Sequence, residues 1–269
     1  MNSTTINRII FYLLAIVLFV GPVLLLILQS FSQTWRFQAG EGINFQWKSY
    51  QILLSDPKLL EASLSSIGIG AGVLLVNLIL GISTGKALAL LSFRGKSFVE
   101  AILLSPILIP VLAIAMGLHL FMIRIGVADT LLGVTLIHLV PTVPYSIKIF
   151  HNAFHQLGKH LFEQPLVLGA SPFYQLFTVE LPLMKPALRS VTFLTIVISL
   201  SQYAITAIIG GGQIITLPMI FFPFLDTANT SVLAAFSVWF AMIPLSLYLV
   251  MEVFILLLPY SRMPWRNRK

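Results

Sequence analysis

The sequence has no cysteine and few charged residues for its length. Without a thiol it has no disulfide, no cysteine nucleophile and no cysteine-ligated metal site. Charged residues make up only 9% of the 269 residues, against roughly 25% in soluble domains, whereas hydrophobic residues make up 58%. The composition therefore excludes an ordinary soluble domain and indicates a protein that lies mostly within a membrane.

Six apolar segments are long enough to cross a bilayer, whose hydrocarbon core of about 30 Å needs roughly 20 residues. They are 9–31, 63–91, 99–122, 131–150, 188–209 and 231–258. The polar segment 32–61 is predicted to hold a short amphipathic helix at the membrane surface, and 214–225 is too short to span and is predicted to be re-entrant or interfacial. We therefore predict an all-α, polytopic membrane protein with six transmembrane helices. Its parts are 1–62, with the first transmembrane helix and an outer surface segment, then a transmembrane domain at 63–258 and a basic tail at 259–269.

The basic residues predict the orientation of these spans. With the first residue placed in the cytoplasm, twelve of the 16 Lys and Arg residues fall on the cytoplasmic side. Because cytoplasmic loops carry an excess of Lys and Arg, both termini and the segment 151–186 between the fourth and fifth spans are predicted to be cytoplasmic. The formal net charge of +7 is then explained by topology, and no nucleic-acid partner is expected.

Within that segment, residues 163–182 read EQPLVLGASPFYQLFTVELP and predict two short helices joined at a hinge. Gly169 can take the positive φ with which helices commonly end. Ser171 is a suitable N-cap for a second helix, and Pro172 suits its first position, where a missing N–H costs nothing. Leu181 and Pro182 are predicted to end this second helix.

The same stretch resembles the cytoplasmic motif in the permease subunits of binding-protein-dependent ABC importers. That motif is written E-A-A, three residues, G, nine residues, I, one residue, L-P. The acidic position, the glycine, the apolar position and the final pair are matched here, while Gln164 and Pro165 replace the two alanines. The ATPase-coupling residues implied by this resemblance are Glu163, Gly169, Ala170, Val179, Leu181 and Pro182.

This resemblance implies a MetI-like permease subunit in a bacterial inner membrane, which moves a small solute inward. It also implies three kinds of partner: a separate ATPase that binds ATP and Mg²⁺ and contacts the 163–182 loop, a second permease of the same or a homologous sequence, and an extracytoplasmic solute-binding protein. The segments 88–110, 126–133 and 210–218 extend the resemblance over most of the chain from about residue 60 onward. The sequences of these segments are more similar to the branch of the family that serves polyamines, iron(III) and thiamine.

The spans themselves indicate that the energy for transport comes from outside the chain. Proton- or sodium-driven carriers usually carry acidic residues deep in their spans, and none lies well inside the second to fifth predicted spans. The segment 81–87 has a superficial likeness to a phosphate-binding loop, but its glycines are too close together and alanine follows Lys86. We interpret its small residues as helix-packing positions and expect Lys86 to extend to the membrane interface.

Glu252, near the end of the sixth span, is interpreted as a structural partner for a basic residue or for another subunit. A stand-alone secondary carrier that depends on Glu252 stays open as an alternative. No catalytic cluster is found, so an enzyme is not expected. His151 and His155 are four residues apart but lack an evident third ligand, so no metal site is predicted.

A solute path needs polar groups near the middle of the membrane. The candidates are Asn77 in the second span, His138 in the fourth, and Ser199, Gln202 and Tyr203 in the fifth. Each of these side chains has a structural alternative, because polar groups in lipid must find partners and a neighbouring helix can supply them. Gln202 and Tyr203 also precede the glycine run 210–212, where irregular backbone is able to line a cavity.

Overall fold

The computed structural model describes residues 3–32, 45–225 and 229–258, with side chains described from residue 7 onward except at 223 and 224. Every element in these ranges is helical apart from an isolated bridge between Ser32 and Phe45. The predicted basic tail 259–269 and residues 33–44 of the polar segment lie outside the described residues. The described part of the chain is all-α, as the sequence predicts.

Fourteen α-helices lie along the described residues. They are α1 (Ser3–Phe19), α2 (Gly21–Ser30), α3 (Lys48–Leu54), α4 (Pro57–Leu90), α5 (Lys96–Leu104), α6 (Val111–Arg124), α7 (Leu131–Leu157), α8 (Lys159–Val167), α9 (Pro172–Gln175), α10 (Leu181–Leu183), α11 (Lys185–Leu200), α12 (Tyr203–Ile209), α13 (Leu217–Phe224) and α14 (Thr230–Leu257). Within the described residues, four stretches are each long and apolar enough to cross a membrane, namely Asn7–Ser30, α4, α7 and α14. If each of two bent helix pairs, Lys96–Ile107 with α6 and Pro172–Leu183 with α11, is counted as one span, the described residues contain six candidate spans.

The third predicted span, 99–122, is not one straight helix. It consists of Lys96–Ile107, which is α5 extended by a 3₁₀ turn, and of α6, and the two meet at 98°. The break falls at Leu108 to Pro110, where proline can neither donate a backbone hydrogen bond nor tolerate a helical residue before it. The prolines that the sequence places inside this span therefore divide it.

The fifth predicted span, 188–209, is also corrected. Helix α11 begins earlier, at Lys185, and ends at Leu200, and α12 starts only at Tyr203. Between them Gln202 leaves the helical region, with φ −84° and ψ 77°. The Ser201 hydroxyl donates a hydrogen bond of 2.8 Å to the carbonyl of Ile198, a local bond that competes with continued helix. The break expected at the glycine run therefore occurs first at Ser201 and Gln202.

The described residues divide into two compact units, one within 1–61 and 219–243 and the other within 62–218 and 244–269. In the first unit, α1 and α2 expose most of their apolar side chains, as a helix facing lipid does. Helix α3 is the short helix predicted in the polar segment. Its Tyr50 hydroxyl lies 2.9 Å from the Ser30 hydroxyl, and its ring lies 5.1 Å from that of Phe31.

The second unit contains two apolar clusters. One joins α7, α8, α11 and α14 through Phe150, Phe162, Leu188 and Ile255. The other joins α4, α6, α7 and α12; its buried members are Ile69, Val73, Ala115, Met122, Val134, Ile137, Ile205 and Ile209. Both clusters are built around α7, which is the central helix of this unit.

Two glycines allow α4 to approach α7 closely. A Cβ atom on Gly81 would lie 2.0 Å from the Ser146 hydroxyl oxygen and 2.9 Å from the ring of Phe150. A Cβ on Gly85 would lie 2.8 Å from the backbone nitrogen of His151. These glycines lie in a helix-packing face, which confirms the interpretation of the segment 81–87 as a packed helix and not a phosphate-binding loop.

Candidate functional site

The loop segment, defined here as 159–183 from α8 to α10, contains the hinge that the sequence predicts. Helix α8 starts earlier than expected, at Lys159, and accommodates Pro165 in its interior. It ends in a Schellman motif, in which the Gly169 N–H donates to the Leu166 carbonyl at 3.0 Å and the Ala170 N–H donates to the Pro165 carbonyl at 2.9 Å. Gly169 has a φ of +83°, so the prediction of a left-handed glycine at this position is confirmed.

The second helix of the loop segment begins as predicted. Ser171 has extended backbone, and its hydroxyl accepts a hydrogen bond of 3.2 Å from the Tyr174 N–H, while Pro172 occupies the first helical turn. Local capping chemistry therefore fixes the turn between the two helices.

The predicted end of this helix at Leu181 and Pro182 is wrong. Residues Leu176–Glu180 form a π-helical turn in which the Leu181 N–H donates to the Leu176 carbonyl, and helix continues to Leu183. The wider turn lets the chain accept a proline that would disturb an ordinary α-helix. The chain bends at Met184 instead, where Pro172–Leu183 and α11 meet at 77°.

The motif residues separate into a surface group and a buried group. Glu163 is half-exposed and Gly169 is exposed, whereas Leu181 and Pro182 are buried. Leu181 belongs to the apolar cluster around Phe150. Ala170 and Val179 are intermediate between the two groups. The loop segment is therefore anchored in the helix bundle near both ends, through Phe162 and Leu181, and presents its middle outward.

The outward middle of the loop segment is apolar. Val167 and Leu168 are each 86% exposed, and Phe173 and Tyr174 on the other side of Gly169 are 73% and 62% exposed. Exposed large apolar side chains concentrated around a rigid turn are typical of a protein-binding surface.

Glu163 makes its contacts within its own helix. Its carboxylate lies 2.9 Å from the Lys159 ammonium and 3.7 Å from the His160 ring. Pairs spaced four residues apart stabilise a helix modestly, by about 0.3–0.5 kcal/mol. In this chain Glu163 therefore supports α8, and its exposed carboxylate is still accessible to a partner.

A buried carboxylate that the sequence interpretation missed lies at the inner end of the loop segment. Glu180 is 3% exposed and pairs with Lys86 of α4, at 2.5 Å. The Gln175 amide nitrogen donates to the same carboxylate oxygen and to the Phe162 carbonyl, both at 2.9 Å. The expectation that Lys86 extends to the membrane interface is therefore corrected, because its ammonium pairs with Glu180. The sequence did contain a signal for this pair, because Glu180 is an acidic residue in an otherwise apolar stretch and such a charge requires a partner.

Asn77 and His138, two of the polar candidates in the spans, are connected by hydrogen bonds through Thr142. The Asn77 amide nitrogen donates to the Thr142 hydroxyl at 2.8 Å, and Thr142 donates to the His138 carbonyl at 2.8 Å. The Ser146 hydroxyl donates to the Asn77 backbone carbonyl at 2.7 Å. Asn77 thus binds a neighbouring helix, although its side-chain oxygen has no hydrogen-bond partner among the described residues.

His138 joins α7 to both sides of the break in the fifth span. One ring nitrogen lies 2.9 Å from the Ser199 hydroxyl of α11, and the other lies 2.9 Å from the Thr206 hydroxyl of α12. A small pocket beside this contact, with room for about one water molecule, is lined by Ser66, Ile69, His138, Ser199, Leu200, Gln202, Thr206, Thr216 and Pro218. The structure therefore brings His138, Ser199 and Gln202 together, while Asn77 and Tyr203 lie outside this lining.

Glu252 forms a two-pronged ion pair with Arg189. The Arg189 Nε donates to one carboxylate oxygen at 2.8 Å, and a terminal guanidinium nitrogen contacts the other. This contact joins α11 to α14 and confirms the interpretation of Glu252 as the structural partner of a basic residue.

The structure is an all-α membrane domain with a capped loop that is anchored in the bundle and exposes an apolar turn, an architecture that suits a transport subunit. Residues 77–258 match the family described as "Binding-protein-dependent transport system inner membrane component", and the chain belongs to that family. It is therefore a multi-pass inner-membrane transport subunit of an ABC importer and not an enzyme. The stand-alone carrier is not supported.

Relatives and solved structures agree with this assignment. The chain is 27% identical over 229 residues to a spermidine/putrescine transport system permease protein, PotC, of Haemophilus influenzae, covering 85% of this chain and 88% of the relative. It is 26% identical to a putrescine transport system permease protein, PotI, of Escherichia coli, covering 80% and 78%.

Among solved structures it shares the fold of a bacterial ABC transporter that imports alginate, with a TM-score of 0.67, 17% identity and coverage of 93% and 95%. It also shares the fold of the MetNI methionine ABC transporter, with a TM-score of 0.55, 16% identity and coverage of 75% and 97%.

Proposed function

We propose that this permease is driven by a separate ATPase subunit that binds the loop segment. The observation that carries the proposal is the outward apolar turn around Gly169, which is rigidly capped on both sides and anchored through Leu181. The ATPase would bind ATP and Mg²⁺, and closure of two such subunits would push on the loop segment. Only a rigid contact transmits a displacement, so short capped helices suit this task.

The complete importer would contain a second permease, of the same or a homologous sequence, and an extracytoplasmic solute-binding protein. Both termini and the loop segment would lie in the cytoplasm, where ATP is available. The excess of Lys and Arg on that side of the predicted spans supports this orientation.

The proposed cargo is a small solute such as a polyamine, iron(III) or thiamine. The similarity to permeases named for spermidine and putrescine supports the first of these. The His138 pocket, lined by an imidazole, an amide and hydroxyl groups, would lie along the solute path. Direct binding measurements on the proposed solute-binding partner would identify the cargo.

The test of ATPase binding is Gly169→Asp. This substitution forces a side chain onto a left-handed residue in the middle of the apolar turn, and we expect it to abolish solute uptake and co-purification of the ATPase while the permease stays in the membrane. Unchanged uptake would refute the proposal.

Gly95→Asp is the matched control. Gly95 has a φ of +82°, and, as at Gly169, no non-neighbouring atom of the described residues lies within 4 Å of a Cβ built there. The two substitutions should therefore cause similar backbone strain, about 1–2 kcal/mol. Gly95 lies in the turn between α4 and α5, so Gly95→Asp should leave the ATPase bound. Equal loss of the ATPase in both variants would show that strain, and not contact, is the cause.

A further inference from the structure

The loop segment is joined to α4 by one buried carboxylate. Lys86 lies near the end of α4, and Glu180 lies 94 positions further along the chain, yet the Lys86 ammonium contacts Glu180 Oε1. The Glu180 side chain is 4% exposed, whereas that of Lys86 is 37% exposed. The ion pair therefore has its acidic partner inside the protein and its basic partner at the edge.

Gln175 extends this contact to both helices of the loop segment. Its amide nitrogen has two hydrogens, and it donates to Glu180 Oε1 and to the carbonyl of Phe162 in α8. Phe162 is itself buried against Phe154 of α7, with ring centroids 5.2 Å apart. One carboxylate thus connects α4, the second loop helix and, through Gln175, the first.

The backbone that leads to Glu180 has an uncommon helical conformation. Glu180 is the last residue of the π-helical turn Leu176–Glu180, and π turns are rare and frequently occur at functional sites. The following Leu181 and Met184 are buried in the apolar cluster. The turn therefore places a charged residue inside the bundle beside residues that anchor the same segment.

Separation of this pair would leave a buried carboxylate without its counter-charge, which is strongly unfavourable. A displacement of the loop segment should consequently carry α4 with it. We propose that Lys86 and Glu180 are positioning residues that transmit movement of the loop segment to the second membrane span. This inference rests on the proposed function, because the movement is supplied by the ATPase.

The test uses the full complex of permeases and ATPase, reconstituted with its solute-binding protein, and measures ATP hydrolysis with and without that protein. For Glu180→Gln and for Lys86→Met we expect the ratio of stimulated to unstimulated hydrolysis to fall by about tenfold, within the usual range for coupling between sites. The charge-exchanged double variant Lys86→Glu with Glu180→Lys should recover part of the ratio. A ratio equal to that of the wild type in both single variants would overturn the inference.

The pair between Lys148 and Glu100 provides the control, because it joins α7 to α5 at 3.5 Å in a more exposed place. Lys148→Met and Glu100→Gln should leave the ratio unchanged. An equal fall in these variants would show that loss of any ion pair has this effect, and would count against a special role for Glu180.

A distance measurement separates transmission from simple folding defects. Because the chain has no cysteine, spin labels can be placed at His160→Cys in the loop segment and Leu91→Cys beyond α4, in complexes that carry one labelled permease and still hydrolyse ATP. With native Glu180, the loop segment and α4 should move together, so we expect the distance between the two labels to be the same in the nucleotide-free and ATP–vanadate states. With Glu180→Gln, we expect this distance to differ between the two states. Identical distributions in all four samples would overturn the inference. Absence of ATPase from the wild-type complex would instead refute the proposed function.

Discussion

The contact between α4 and α7 leads to a quantitative prediction for Gly81→Ala. The new methyl group would lie 2.0 Å from the Ser146 hydroxyl oxygen and 2.9 Å from the Phe150 ring, which is completely buried. Neither position is compatible with normal packing, so Ser146 must rotate or the two helices must separate.

The expected cost has two parts. Overpacking of a tight core costs about 1–3 kcal/mol. Rotation of Ser146 also breaks its 2.7 Å hydrogen bond to the Asn77 carbonyl, which is worth about 1 kcal/mol. Alanine also gains up to about 1 kcal/mol of helix stability over glycine, so we expect Gly81→Ala to lower the free energy of unfolding by about 1–4 kcal/mol. The measurement is reversible unfolding of the purified permease in mixed micelles.

Gly68→Ala in the same helix is the control, because no atom lies within 4 Å of a Cβ built on Gly68. It should have no cost, or should stabilise the helix by up to about 1 kcal/mol. Equal stability of the Gly81 and Gly68 variants would refute the argument from helix contact.

Ser146→Ala combined with Gly81→Ala gives a sharper check. Removal of the hydroxyl relieves the shortest contact but leaves the Phe150 ring and the Ser146 Cβ, 3.1 Å away. The double variant should therefore be more stable than the sum of the two single changes predicts, and additive costs would contradict the proposed geometry.

The features that sequence predicts well in this protein are those determined within a few residues. The hinge at Gly169 and the cap at Ser171 depend on hydrogen bonds that span no more than five positions, from Pro165 to Ala170 and from Ser171 to Tyr174. Residue type alone is then sufficient to predict the turn.

The features that the sequence did not predict depend on distant contacts. The rule that proline ends a helix failed at Pro182 because the π turn before it and the burial of Leu181 and Met184 continue the helix. The break after α11 contains no proline or glycine, and its contacts with His138 connect positions 61 and 68 residues apart. The pair of Lys86 with Glu180 likewise depends on how the helices assemble.

Two further substitutions test the polar contacts between spans. Glu252→Gln removes the charge that pairs with Arg189, so we expect unfolding to become easier by about 1–2 kcal/mol while ATP-driven uptake continues. Loss of uptake without loss of stability would instead favour a direct role in transport. His138→Phe keeps a ring of similar size but cannot bond to Ser199 or Thr206, at a cost of about 2 kcal/mol for two buried hydrogen bonds. Because those bonds hold α11 and α12 on either side of their break, hydrogen exchange of the backbone amides at 201–206 should accelerate relative to amides of α6. If hydrogen exchange at 201–206 is unchanged although the variant loses the expected stability of about 2 kcal/mol, the imidazole fills space in the bundle and does not hold the break closed.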